Sequence, residues 1–102
     1  MGIDIKLEDE NGKVGGYLGD SNSVLSNFII NSDLSKYVCV RFIDPYGNTI
    51  FNHSQMEVLQ NELIEIIHHS KDEILKEILH KIIKMIEHGQ KSPHNYIKFD
   101  GD

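Results

Sequence analysis

Six histidines, His53, His68, His69, His80, His88 and His94, raise the question of a metal site, because imidazole nitrogens bind zinc when two of them share a helix face. Spacing decides against it. A helical zinc pair needs the short separation of H-E-x-x-H, whereas His80 and His88 stand two turns apart and His68 and His69 are adjacent near a helix end. His80 and His88 read as solvated groups, and His68 and His69 suit the negative end of a helix dipole. No metal ligand and no cofactor is expected.

Nucleophilic chemistry finds no candidate either. Cys39 lies between Val38 and Val40, where an apolar setting disfavours the thiolate, and no G-x-S-x-G elbow occurs. Gly15-Gly16-Tyr17-Leu18-Gly19 lacks the lysine and hydroxyl of a phosphate-binding loop and is not a G-x-G-x-x-G turn, so it reads as a bend. Glu8-Asp9-Glu10 is a charge run beside a turn, not a carboxylate pair in a cleft.

Arg41 is the only arginine, and its planar fork suits a carboxylate, with Asp4 and Asp44 as candidate partners. An internal salt bridge that orders the sheet is the favoured reading over ligand contact, since partly buried charges are usually paired. Asp4, Lys6, Glu8, Arg41, Tyr96 and Lys98 are expected on strand faces turned away from the aliphatic core, which makes that wet face the candidate binding surface. Tyr46, at a turn tip, either contacts a partner or lies over the sheet. Asn52 either joins that contact or bonds backbone groups ahead of a helix cap.

These residues must be positioned by secondary structure, and the clearest element is a hairpin over residues 37–52. Asp44-Pro45-Tyr46-Gly47 matches a type I turn, with apolar strands expected on both sides. Ile3, Ile5 and Leu7 alternate with Asp4, Lys6 and Glu8 as in a half-buried strand, and Asn11-Gly12 turns the chain toward a return strand over residues 13–18 that Gly15 and Gly16 weaken. Val24, Leu25, Phe28 and Ile29 predict a short helix ending near Asn31.

Ser54 with Glu57, and Ser70 with Glu73, fit capping boxes and predict two helix starts. The first helix carries the stripe Met56, Leu59, Leu63, Ile66 and Ile67. The second carries Ile74, Leu75, Ile78, Leu79, Ile82, Ile83 and Ile86, with Gly89 as its C-terminal cap and Pro93 barring continuation. Tyr96-Ile97-Lys98-Phe99-Asp100 alternates again and predicts a final strand. The fold expected is an α+β two-layer sandwich: a mainly antiparallel sheet of four to five strands with three helices on one face.

A chain of 102 residues is expected to form one domain with its own core. The net charge of −6 would repel a nucleic-acid backbone. The amino-terminal residues lack a basic segment followed by an apolar stretch, and no apolar run approaches the roughly 20 residues needed to span a bilayer. A soluble, cytoplasmic protein is expected, with no membrane or nucleic-acid partner.

The stretch Arg41-Phe42-Ile43-Asp44-Pro45-Tyr46-Gly47-Asn48-Thr49-Ile50-Phe51-Asn52, the start Met1-Gly2-Ile3-Asp4-Ile5 and the close Tyr96-Ile97-Lys98-Phe99-Asp100-Gly101-Asp102 resemble a group of small uncharacterised bacterial proteins. The resemblance spans nearly the full chain and implies a bacterial origin and a stand-alone domain. It assigns no site residue.

Three functional readings follow. The first is a non-enzymatic protein-binding module, of the kind that includes toxin-immunity proteins, whose acidic surface at Asp4, Glu8, Asp44, Tyr46 and their neighbours meets a basic partner. The second is a small-ligand or enzymatic site around Arg41, Asp4, Asn52 and Lys98, which requires a closed pocket there. The third is self-association, with Val58 and Ile64, off the main stripe of their helix, as a homodimer contact unless they meet the last helix.

Overall fold

The computed structural model describes residues 2–101, the side chain of Ser21 excepted. Alternating side chains put β1 (Asp4–Glu8) into an extended strand with Ile5 and Leu7 buried, and β4 (Tyr96–Asp100) does the same with Ile97 and Phe99. The two pair antiparallel, Lys6 opposite Lys98 and Leu7 opposite Ile97. β2 (Val14–Leu18) flanks β1 and β3 (Asn48–Phe51) flanks β4, giving a four-stranded antiparallel sheet of order β2-β1-β4-β3.

The β1–β2 turn is held by Asp9, whose Oδ1 accepts from the backbone N–H groups of Asn11 and Lys13, each at 2.9 Å. Gly12 there takes φ +80, which costs a side-chain-free residue little. Gly16 stands opposite Leu7, and the space where its Cβ would be is bounded by Leu7 and by Met85 of the helix layer, so the bare backbone admits that helix close to β2.

Three helices cover one face of the sheet: α1 (Val24–Asn31), α2 (His53–His69) and α3 (Glu73–Gly89). α3 is central, touching α1, α2 and three of the strands. Its Leu75, Ile78, Leu79, Ile82, Ile83 and Ile86 are buried, each contributing about 1.5–3 kcal/mol relative to exposure. Ile74, expected on the same stripe, is exposed, whereas Leu75 beside it in the first turn is buried. The aromatic pair Phe51 and Phe99 meets edge to face at 5.8 Å beneath α2.

Several boundaries differ from expectation. α2 starts two residues earlier, at a capping box made by Asn52 and Gln55 rather than Ser54 and Glu57: Asn52 accepts from the Gln55 N–H at 2.9 Å while the Gln55 side chain accepts from the Asn52 N–H at 2.9 Å. α3 is capped by Asp72, which accepts from the N–H groups of Ile74 and Leu75 at 3.1 Å, and Ser70 braces Asp72 from outside the helix. Gly89 is the last helical residue, not the cap, and its use is close approach: a Cβ there would stand 2.6 Å from Leu7 Cδ1.

The largest correction concerns the hairpin. The Asp44-Pro45-Tyr46-Gly47 turn is present, closed by Gly47 N–H to Asp44 carbonyl at 3.4 Å and by Tyr46 N–H to Asp44 Oδ1 at 2.8 Å, and β3 follows it. Residues 37–43, however, form no strand. A 3-10 turn at Val40–Phe42 breaks the segment, and the Glu62 carboxylate on α2 takes the backbone N–H groups of Val38, Cys39 and Val40 that a strand would spend on its neighbour. β3 pairs with β4 instead.

Candidate functional site

Period-2 alternation sends every second side chain of the sheet away from the helices, and register then sets them in rows. One row runs Tyr17, Lys6, Lys98, Ile50 across all four strands; on its two sides lie Val14, Glu8, Tyr96 and Asp4, Asp100, Asn48. Tyr17, Ile50 and Val14 are 61%, 57% and 48% exposed, so the open face has apolar flanks around a charged middle.

The middle is partly neutralised internally. Asp100 stands between two lysines, 3.1 Å from Lys6 Nζ through one oxygen and 3.8 Å from Lys98 Nζ through the other. The hydrogen bond and charge of Asp100 push the Lys6 amine above the ordinary lysine range, with Glu8 and Asp4 adding to the effect. Three acids against two bases leave the face with one net negative charge.

Of the residues expected to form the surface, Asp4, Glu8, Tyr96 and Lys98 share this face. Asp44 and Tyr46 stand at the end of β4, where the Gly101 N–H donates to the Gly47 carbonyl at 2.7 Å, and Tyr46 is exposed at the turn tip. Arg41 does not belong to the sheet. With residues 37–43 held on α2, its guanidinium lies over the Phe42 ring at 4.8 Å, and among the described residues it forms no ion pair with Asp4, Asp44 or any other acid. Asn52 is occupied as the α2 cap. Of the four groups expected around a pocket at Arg41, Asp4 and Lys98 lie on strands of the open face, Arg41 in a 3-10 turn and Asn52 at the α2 cap.

Val58 and Ile64 are exposed on α2. Among the described residues no group of three histidine, cysteine, aspartate or glutamate side chains is placed to hold a metal ion, and no helix is long and apolar enough to cross a membrane. His53 instead bonds through Nε2 to the Gln90 carbonyl at 3.0 Å, tying the start of α2 to the end of α3.

Three features go beyond the sequence reading, which expects of Gly19-Asp20-Ser21 only capping side chains ahead of α1. Glu62 binds three consecutive amides, and Asp20 joins the amides of Ile3, Leu25 and Ser26, linking the approach to β1 with the first turn of α1. The third is a cavity of about 540 Å³ within the helix layer, between α1, residues 32–37, the end of α2 and the start of α3. The Glu62 bonds, the tie from Asp20 to Ile3 and the cavity join segments distant in sequence, so local periodicity carries no signal of them.

Comparison of the chain with protein-family models, curated proteins and solved structures found no match.

Proposed function

We propose that the protein is a non-enzymatic binding module whose protein partner docks on the open face of the sheet. The observation that carries this reading is the row Tyr17, Lys6, Lys98, Ile50, in which two exposed apolar side chains bracket a charged centre. Tyrosine is enriched among the residues that anchor interfaces, and charges beside it supply orientation. Asp4 and Glu8 beside the row, and the net charge of −6, favour a basic partner and fast, salt-sensitive encounter. Neutralisation of a basic toxin by a bacterial immunity protein is the specific form of this reading.

The test is affinity capture from a bacterial host, identification of the captured protein, and titration of the purified pair with wild type and with a Tyr17→Ala, Ile50→Asp double variant. The variant should fold as wild type and bind at least tenfold more weakly, and wild-type association should slow as salt rises. Unchanged affinity in the double variant, or association indifferent to salt, overturns the reading.

A further inference from the structure

We infer that the cavity in the helix layer binds a small hydrophobic monocarboxylate, at a site separate from the open sheet face. No strand residue lines it. Its floor is Phe28, Leu34, Tyr37, Ile66 and Leu75, and it is an open cleft whose volume of about 540 Å³ lies within the range of small-ligand sites. Two aromatic rings and three aliphatic side chains suit a flat or branched apolar body.

The rim decides the head group. Asp33 and Asp72 both reach it, but the oxygens of both are turned to the chain's own donors: the Ser35 side chain and then the Ser35 N–H, at 3.1 Å, hold the Asp33 carboxyl below the usual range, and Asp72 caps α3. Lys36 is paired with Glu65 at 3.2 Å. Lys71 forms no ion pair among the described residues, and the His69 ring meets that of His68 edge to face at 5.5 Å. The cation at the rim without a carboxylate partner is therefore Lys71, beside an imidazole that can donate a hydrogen bond, in a chain that is otherwise acidic. A ligand carboxylate at Lys71 and His69, with its apolar body over Phe28 and Tyr37, satisfies both parts of the cavity.

The experiment is an amide NMR titration of the full chain with 1-naphthaleneacetate, repeated with 1-naphthylmethylammonium, whose body is similar and whose head carries the opposite charge. The acid should shift amides of the residues lining the cavity with a Kd below about 2 mM, and the ammonium should bind at least threefold more weakly. Lys71→Glu should weaken the acid by about fivefold, while Lys91→Glu, with the same change in net charge away from the cavity, should leave its affinity within about twofold. Absence of shifts, shifts centred elsewhere, equal binding of the two probes, or equal effects of the two lysine variants would each overturn the proposal. None of these outcomes bears on partner binding at the sheet.

Discussion

Glu62, in the middle of α2, accepts the backbone N–H of Val40 at 2.9 Å through the same carboxylate that accepts from Val38 at 2.7 Å and from Cys39 at 3.1 Å. One side chain thus supplies the acceptors for a whole irregular segment, which has no sheet neighbour to do so. Glu62→Ala should destabilise the protein by about 2 kcal/mol in urea unfolding, because hydrogen bonds to a charged acceptor are stronger than average but water can replace part of them at this half-buried site. Glu62→Gln, which keeps one carbonyl and places an amide donor against the chain's own donors, should not recover more than half of the loss. A cost below about 0.5 kcal/mol for Glu62→Ala would mean that the segment is held by its apolar side chains instead.

That bond also explains where sequence reading stopped. β1, β4, the stripes of α2 and α3, the short α1 and both tight turns follow from patterns confined to a few neighbouring residues, and all are present. The strand expected before Asp44 is absent although its residues are β-branched and aromatic, since such composition favours any half-buried extended backbone and Glu62, distant in sequence, decides what that backbone bonds to. Arg41 failed as a sheet residue for the same reason: its face was inferred from a strand that does not form. Asp4, Glu8, Tyr96 and Lys98 came together as expected because their strands were legible and period 2 fixed their side.

Asp20 plays a comparable part at the other end of the chain. Its carboxylate accepts from Ile3 at 3.1 Å and from Leu25 and Ser26 at 2.9 Å, serving the first turn of α1 after two residues with left-handed backbone, Asn22 and Ser23. Asp20→Ala should cost about 1–2 kcal/mol, the usual loss for a removed helix cap, and should raise hydrogen exchange at Ile3, Leu25 and Ser26 before other amides. Uniform exchange changes, with no enrichment at those three, would count against a local tie.

Gly101 and Gly89 are both crowded, by different kinds of atoms. A Cβ on Gly101 would stand 2.5 Å from the Asp44 carbonyl oxygen and from Pro45 backbone atoms, whereas one on Gly89 would meet the ends of the Leu7 and Met56 side chains. Side-chain ends can rotate away, and alanine gains about 1 kcal/mol over glycine in a helix, so Gly89→Ala should be near neutral or cost under about 1 kcal/mol. Gly101→Ala should cost about 1–3 kcal/mol and loosen the 44–47 turn. Equal melting temperatures for the two variants would contradict this ordering.

Asp100 raises the Lys6 amine by hydrogen bond and charge on the open face. Asp100→Asn should lower the Lys6 titration midpoint, read by side-chain NMR, with little change in the unfolding midpoint because the pair is solvent-screened. The sign follows from the folded value lying above the unfolded one. The stability linked to the raised Lys6 amine is present at neutral pH and is lost as pH rises past the lysine range, near pH 10 and above. A Lys6 midpoint unaffected by the substitution would remove Asp100 as the cause.

Cys39 offers a second pH dependence, with a chemical readout. Burial pushes its thiol up, and the nearby Glu62 carboxylate adds to the shift, so folding favours the protonated form. Below the unfolded thiol value of about 8.5 that preference costs nothing, because the thiol is protonated in both states. As pH rises through that value the unfolded chain ionises first, and native stability falls until the folded thiol also ionises. Cys39→Ala removes this contribution while adding a pH-independent loss of packing, so its stability deficit relative to wild type should shrink between about pH 8 and 10. The thiol itself should react with iodoacetamide much more slowly in native protein at pH 8 than in urea, since it is both buried and held protonated. A deficit that stays constant across that range, together with native alkylation as fast as unfolded, would show that residues 37–43 open freely and that the hold of Glu62 on Val38, Cys39 and Val40 is weak.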